Sequence, residues 1–161
     1  MLSQCGYNLD NFFRTFIESN REFSLDSKEF KHFRYRLDRT QRQMAQLLGI
    51  SLKAVHSYEQ GWRSVPGHVE RQVLFLISRL KENSKSRKSC WVVKKCPSEK
   101  KKECPAWEFQ AGKLCWFISG TICDGTVHKN WKEKMKLCRS CEILKYVLKG
   151  KSESWRLYRL R

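Results

Sequence analysis

Cysteine placement constrains this chain more than any other feature. Cys5 stands alone, and the other seven of its eight cysteines crowd into residues 90–141. A segment of that length with few aliphatic residues cannot build a large apolar core and needs a staple. Thiolate ligands on a bound centre provide one kind of staple and disulfides another. The stretch before Cys90 has amphipathic helical patterning instead. Two units of different construction are therefore expected: a mainly α part, and a small, irregular cysteine-rich part.

Charge sets the next limit. The 161 residues carry 33 Lys and Arg against 16 Asp and Glu, a net charge of +17. Such an excess points to a polyanionic partner, nucleic acid ahead of an anionic membrane surface. No apolar run approaches the ~20 residues needed to cross a bilayer. The opening Met1-Leu2-Ser3-Gln4-Cys5 lacks the basic start and apolar stretch of a secretory signal. The expected location is the cytoplasm, with no membrane partner, where cysteines serve as ligands or redox thiols more often than as a disulfide framework. No Gly-rich nucleotide loop, Ser/His/Asp set or His-Glu-x-x-His motif is present, so the chain is not read as an enzyme.

Periodicity divides the chain. Residues 1–25 read as an amphipathic helix carrying Leu9, Phe12, Phe13, Phe16 and Ile17. Residues 26–82 hold four helical segments. Asp26-Ser27-Lys28-Glu29 is an acidic capping box, with Phe30, Phe33 and Leu37 on the following face. Thr40 caps a second helix whose apolar face carries Met44, Leu47 and Leu48, and Gly49 ends it. Ser51 caps a third, with Val55 and Tyr58 inward and Gly61 at its end. A fourth begins near Pro66, with Val69, Val73, Leu76, Ile77 and Leu80 as its stripe. Residues 83–89 are a basic linker, 90–149 the cysteine-rich unit and 150–161 a basic aromatic tail.

The run Thr40-Gln41, Met44-Ala45-Gln46-Leu47-Leu48-Gly49-Ile50-Ser51, Val55 and Tyr58-Glu59-Gln60-Gly61 resembles the Xre/Cro family of helix-turn-helix repressors. The resemblance implies a four- or five-helix, lambda-repressor-like bundle that binds double-stranded DNA as a homodimer, its third helix entering the major groove. The residues it turns outward are Ser51, Leu52, Lys53, Ala54, His56 and Ser57. Lys53 suits guanine O6 and N7, and Leu52 and Ala54 suit a thymine methyl. Gln41 and Arg63 are expected at the phosphate backbone. The resemblance also implies a buried salt bridge between Arg34 and Glu59. Arg39 departs from the pattern, which has an apolar residue there.

The cysteine-rich half reads Cys90-Trp91-Val92-Val93-Lys94-Lys95-Cys96, Cys104-Pro105-Ala106, Gly112-Lys113-Leu114-Cys115-Trp116, Gly120-Thr121-Ile122-Cys123 and Cys138-Arg139-Ser140-Cys141. It resembles a family of bacterial domains marked by two Cys-Trp pairs and often fused to sensory or regulatory modules. Cys90, Cys96, Cys104, Cys115, Cys123, Cys138 and Cys141 are the candidate ligands. Three readings stand, in order: an iron–sulfur cluster, which takes four thiolates; zinc, for which a second Cys-x-x-Cys knuckle is missing; and disulfides, which an odd number of thiols cannot all form. The expected function is transcriptional regulation through sequence-specific DNA binding, with the cysteine-rich half sensing redox state. The alternatives are a redox or electron-transfer protein, and a constitutive DNA-binding protein with a structural zinc module.

Overall fold

The computed structural model describes residues 25–80, 88–128 and 130–149. The expected helix over residues 1–25, most of the linker and the tail from residue 150 lie outside the described residues. What is described is mainly α, with a single two-stranded sheet among the described residues, and no described helix is long and apolar enough to cross a membrane.

Helix α1 (Ser27–Arg36) starts at a reciprocal cap. The Asp26 carboxylate accepts the Glu29 N–H at 2.7 Å, and the Glu29 carboxylate accepts the Asp26 N–H at 3.4 Å. Thr40 and Gln43 form the neutral equivalent at the start of α2 (Gln41–Leu48). This helix closes at Gly49, whose φ of +65° is cheap only without a Cβ. The turn is a Schellman arrangement: Ile50 N–H reaches the Ala45 carbonyl at 3.0 Å and Gly49 N–H the Gln46 carbonyl at 3.3 Å. Ser51 Oγ then accepts the Ala54 N–H at 3.1 Å and opens α3 (Leu52–Glu59). Helix α4 (Gly67–Ser78) packs across α1 and α2. Phe30, Phe33, Met44, Ala45, Leu48, Val55, Tyr58, Val69, Val73 and Ile77 fill the space between these four helices. Leu47, expected on the inner face of α2, is 45% exposed. Its neighbours Met44 and Leu48 lie one turn apart and occupy that face without it.

The bundle is tied by a fork of charge. Arg34 donates to Glu59 through Nε at 2.5 Å and Nη2 at 3.1 Å, and through Nη1 to the Arg39 carbonyl at 2.8 Å. The two side chains are 8% and 2% exposed. Gln41 Nε2 adds a 2.9 Å bond to Glu59. Arg39 itself is exposed, and the chain reaches it through Asp38, whose φ is +53°. The position that the family resemblance would fill with an apolar residue is thus held by its backbone carbonyl.

The second half is built from short pieces: α5 (Cys90–Val93), α6 (Ser98–Lys102), α7 (Pro105–Glu108), an antiparallel hairpin of β1 (Ile122–Cys123) and β2 (Thr126–Val127), then α8 (Trp131–Cys138) and α9 (Glu142–Lys149). Asp124 and Gly125 turn the hairpin, both at positive φ, as a two-residue primed turn requires. Trp116, Met135, Leu144 and Val147 are fully buried and join the first half in one continuous core. Helix α4 therefore buries a second face, including Leu74, beneath α9. Gly67 allows the close approach, because a Cβ there would stand 2.9 Å from the Trp131 ring.

Polar groups lock the same junction. Arg139 donates to both Glu29 oxygens at 3.0 and 3.1 Å and to Glu70 Oε1 at 2.9 Å. Trp131 Nε1 donates to Glu70 Oε2 at 2.7 Å. Arg36 reaches the carbonyls of Val147 and Leu148 at 3.1 Å each, satisfying acceptors that the end of α9 leaves open. Burial pushes the Glu70 carboxyl upward, against the pull of Trp131 and Arg139.

Replacing Arg34 with Met strands Glu59 as a buried, unpaired carboxylate. Urea unfolding should show a loss of about 3–5 kcal/mol. A loss below about 1 kcal/mol would mean that the fork contributes little.

Candidate functional site

Helix α3 presents one face to solvent. Ser51, Leu52, Lys53 and His56 are exposed along it, with Arg63 and Trp62 just beyond its end. Trp62 is 72% exposed and meets the His56 ring edge-on, with centroids 5.3 Å apart. Ala54 is half-buried against the core. Ser57, expected outward, is buried, and its Oγ donates to the Lys53 carbonyl at 2.8 Å. Gln41, expected at a phosphate, has its amide on Glu59. The exposed row is therefore Ser51, Leu52, Lys53, His56, Trp62 and Arg63, a mixture of hydrogen-bonding, cationic and aromatic groups.

The second site is a cavity of about 210 Å³ in the cysteine-rich half. Cys90, Cys96, Cys104, Cys115 and Cys123 all line it. The sequence separates them by up to 33 positions, and the short helices and the hairpin bring them together. Helix α5 contributes Cys90, and the turns around α6 and α7 contribute Cys96 and Cys104. Cys123 comes from β1. Trp91 and Trp107 form a wall, packed edge to face at 4.9 Å. Lys94, Lys100 and Lys101 stand at the cavity, Lys94 paired with Asp124 at 3.2 Å and Lys101 over the Trp107 ring at 4.1 Å. Cys138 is buried at the end of α8, and Cys141 is half-buried just before α9. Neither lines the cavity, but Cys138 is close enough to feel the charge of Cys123 and Cys141.

All seven described cysteines are free thiols. Among the described residues, no three His, Cys, Asp or Glu side chains converge on a point where one metal ion could sit. The cysteines instead ring a volume. Thiolates are the donors of zinc and iron–sulfur centres alike. Five thiols around one cavity are of that donor type. His128 is half-buried, with Nε2 unpartnered.

The thiols are not equivalent. The neighbouring Cys115 brings the Cys90 thiol down to about 7, and Cys115 is itself pushed up by Cys90 and by burial. Burial raises Cys96 and Cys123, and raises Cys138 to about 11.

Sequence reasoning missed Glu70 and Lys134, both 1% exposed. Each is a single charged residue on a helix, buried by residues distant in sequence: Glu70 by Trp131 and Arg139, Lys134 beside Thr121. No protein-family model, curated protein or solved structure matches the chain.

In metal-free, reduced protein, Cys90 should be the first thiol alkylated at pH 7, its rate rising through a midpoint near 7. Cys115→Ala removes the neighbour that lowers it, so the Cys90 thiol returns toward its ordinary range and alkylation at pH 7 slows about tenfold. Mass spectrometry of iodoacetamide-treated protein checks this, and an unchanged rate would refute the thiol–thiolate pair.

Proposed function

We propose that this protein is a DNA-binding transcriptional regulator of helix-turn-helix type whose cysteine-rich half holds a thiolate-ligated centre, an iron–sulfur cluster before zinc. One observation carries the DNA-binding reading. Helix α3 is capped by Ser51, anchored inward by Val55 and Tyr58 and pinned at Glu59 by Arg34, yet its opposite face is exposed. A short, rigidly seated helix with one free face, on a chain of net charge +17, suits insertion into a major groove.

In this reading Lys53 meets a base edge, and Ser51 and His56 flank it. Arg63 and Trp62 meet the backbone. Ser57 and Gln41 act indirectly, as supports of α3 and Glu59. DNA binding through one short helix is weak, so a homodimer on two half-sites is part of the proposal. The cavity cysteines, with Cys138 and Cys141, supply the ligands. A bound cluster would supply one-electron redox chemistry and sensitivity to oxidants. The chain's own residues supply the connection: Arg139, between Cys138 and Cys141, is bonded to Glu29 on α1 and Glu70 on α4.

A second reading has its own observation. Cys90 and Cys115 line the same cavity and Cys115 draws the Cys90 thiol down, which suits a redox dithiol with no metal required.

Selection from a random-sequence duplex pool should enrich a defined motif. Lys53→Ala should then weaken binding to the selected duplex by about 1–3 kcal/mol and relax one base position. Arg63→Ala should weaken all duplexes alike and lower the salt slope by about one unit. No enriched motif, together with salt-independent binding, would end the DNA-binding reading. Protein purified without oxygen should carry iron and inorganic sulfide and absorb near ~400 nm. Colourless protein with about one zinc per chain would make the centre structural. Metal-free protein that forms a Cys90–Cys115 disulfide would favour the dithiol.

A further inference from the structure

Lys134 lies in the middle of α8, and its neighbours Lys132 and Lys136 are exposed, as lysines on a short surface helix ordinarily are. Lys134 is only 1% exposed. Its ammonium donates to Thr121 Oγ1, which is equally buried and contacts Cys123 Sγ at 3.8 Å. Among the described residues it forms no ion pair. The Glu29 and Glu70 carboxylates are paired with Arg139, and Asp124 with Lys94. A buried ammonium with one neutral acceptor is strongly disfavoured. The groups that feel its charge are Cys90, Cys123 and Cys138, each drawn toward the thiolate by it.

We propose that Lys134 is the counter-charge of an anionic thiolate centre, seated behind the cysteine cavity to hold a ligand set whose negative charge exceeds that of the metal it binds. This role rests on the thiolate-centre reading. Four thiolates on a divalent core leave a net negative charge, whether the core is zinc or an iron–sulfur cluster. Such a centre and Lys134 neutralise each other in a region from which water is excluded. Thr121 holds the ammonium in place beside Cys123. The site is thereby selective for anionic centres, and neutral thiols or disulfides leave the lysine charge uncompensated.

The test compares the full-length protein with Lys134→Met, both reduced and metal-free, using Cd²⁺ alone as the probe. Thiolate-to-cadmium absorption reports binding, and chelator competition gives affinity. Lys134→Met should bind Cd²⁺ about 10–100-fold more weakly. Its metal-free form should melt higher than wild type at pH 6, where thiols are largely protonated and the lysine is least compensated. Opposite signs in the two measurements are the signature of a counter-charge. Equal Cd²⁺ affinity overturns the role. So does a variant that loses both affinity and melting temperature, which marks Lys134 as a packing residue. Wild-type protein that takes up no Cd²⁺ overturns the centre itself, and this role with it.

Discussion

The structure turns on Arg139. Its guanidinium bridges Glu29 in the first turn of α1 and Glu70 in the first turn of α4, and Trp131 closes the network by donating to the second Glu70 oxygen. Glu70 is 1% exposed, so its charge is tolerable only because these donors replace water. The fork holds together two halves that have different building rules. The first has enough apolar residues to pack as a helical bundle. The second is assembled from helices of four to eight residues and a two-residue-per-strand hairpin, and elements that short need outside support. That support comes from the second face of α4, where Leu74 lies under α9 and Phe75 meets Phe117 at 5.4 Å.

One short helix organises the thiol region. Helix α8 carries Trp131, Lys134 and Cys138 and ends at Arg139. Trp131 and Arg139 face the bundle through Glu70, while Lys134 faces Thr121 and the thiols. A movement of Cys138 is therefore also a movement of the residue that grips α1 and α4. In the proposed regulator this is the physical route from centre to DNA-reading helix: α1 carries Arg34, Arg34 holds Glu59, and Glu59 ends α3. Coupling requires that the two states of the centre differ in how they hold Arg139.

Much of the first half was legible in the sequence because its signals are local. Asp26, Thr40 and Ser51 cap their helices as their side chains dictate, and Gly49 turns left-handed where the apolar period stops. The Arg34–Glu59 pair came only with the family resemblance, since nothing in a 25-residue separation announces an ion pair. Ser57 and Leu47 went the other way. The family resemblance turns Ser57 outward, but its hydroxyl bonds back to the carbonyl four residues earlier and lies inward. The apolar period of α4 marks one face, and its second face leaves no local signal because the partner lies some 70 residues downstream. In the second half the cysteines were obvious and their grouping was not. The Asp124-Gly125 hairpin signal was present between Cys123 and Thr126, and it places Cys123 at the cavity. Lys134 and Glu70 could not be anticipated, because burial of a charge is decided by what packs over it.

The joint at Arg139 is tested most directly by amide hydrogen exchange, comparing protein as purified without oxygen with the same protein after chelator treatment to strip the proposed centre. If the cysteine-rich half and the bundle are joined as described, stripping should speed exchange in α8 and α9 and also in α4 and the first turn of α1. Faster exchange confined to residues 88–149, with α1 and α4 unchanged, would contradict the joint and leave two halves that merely touch.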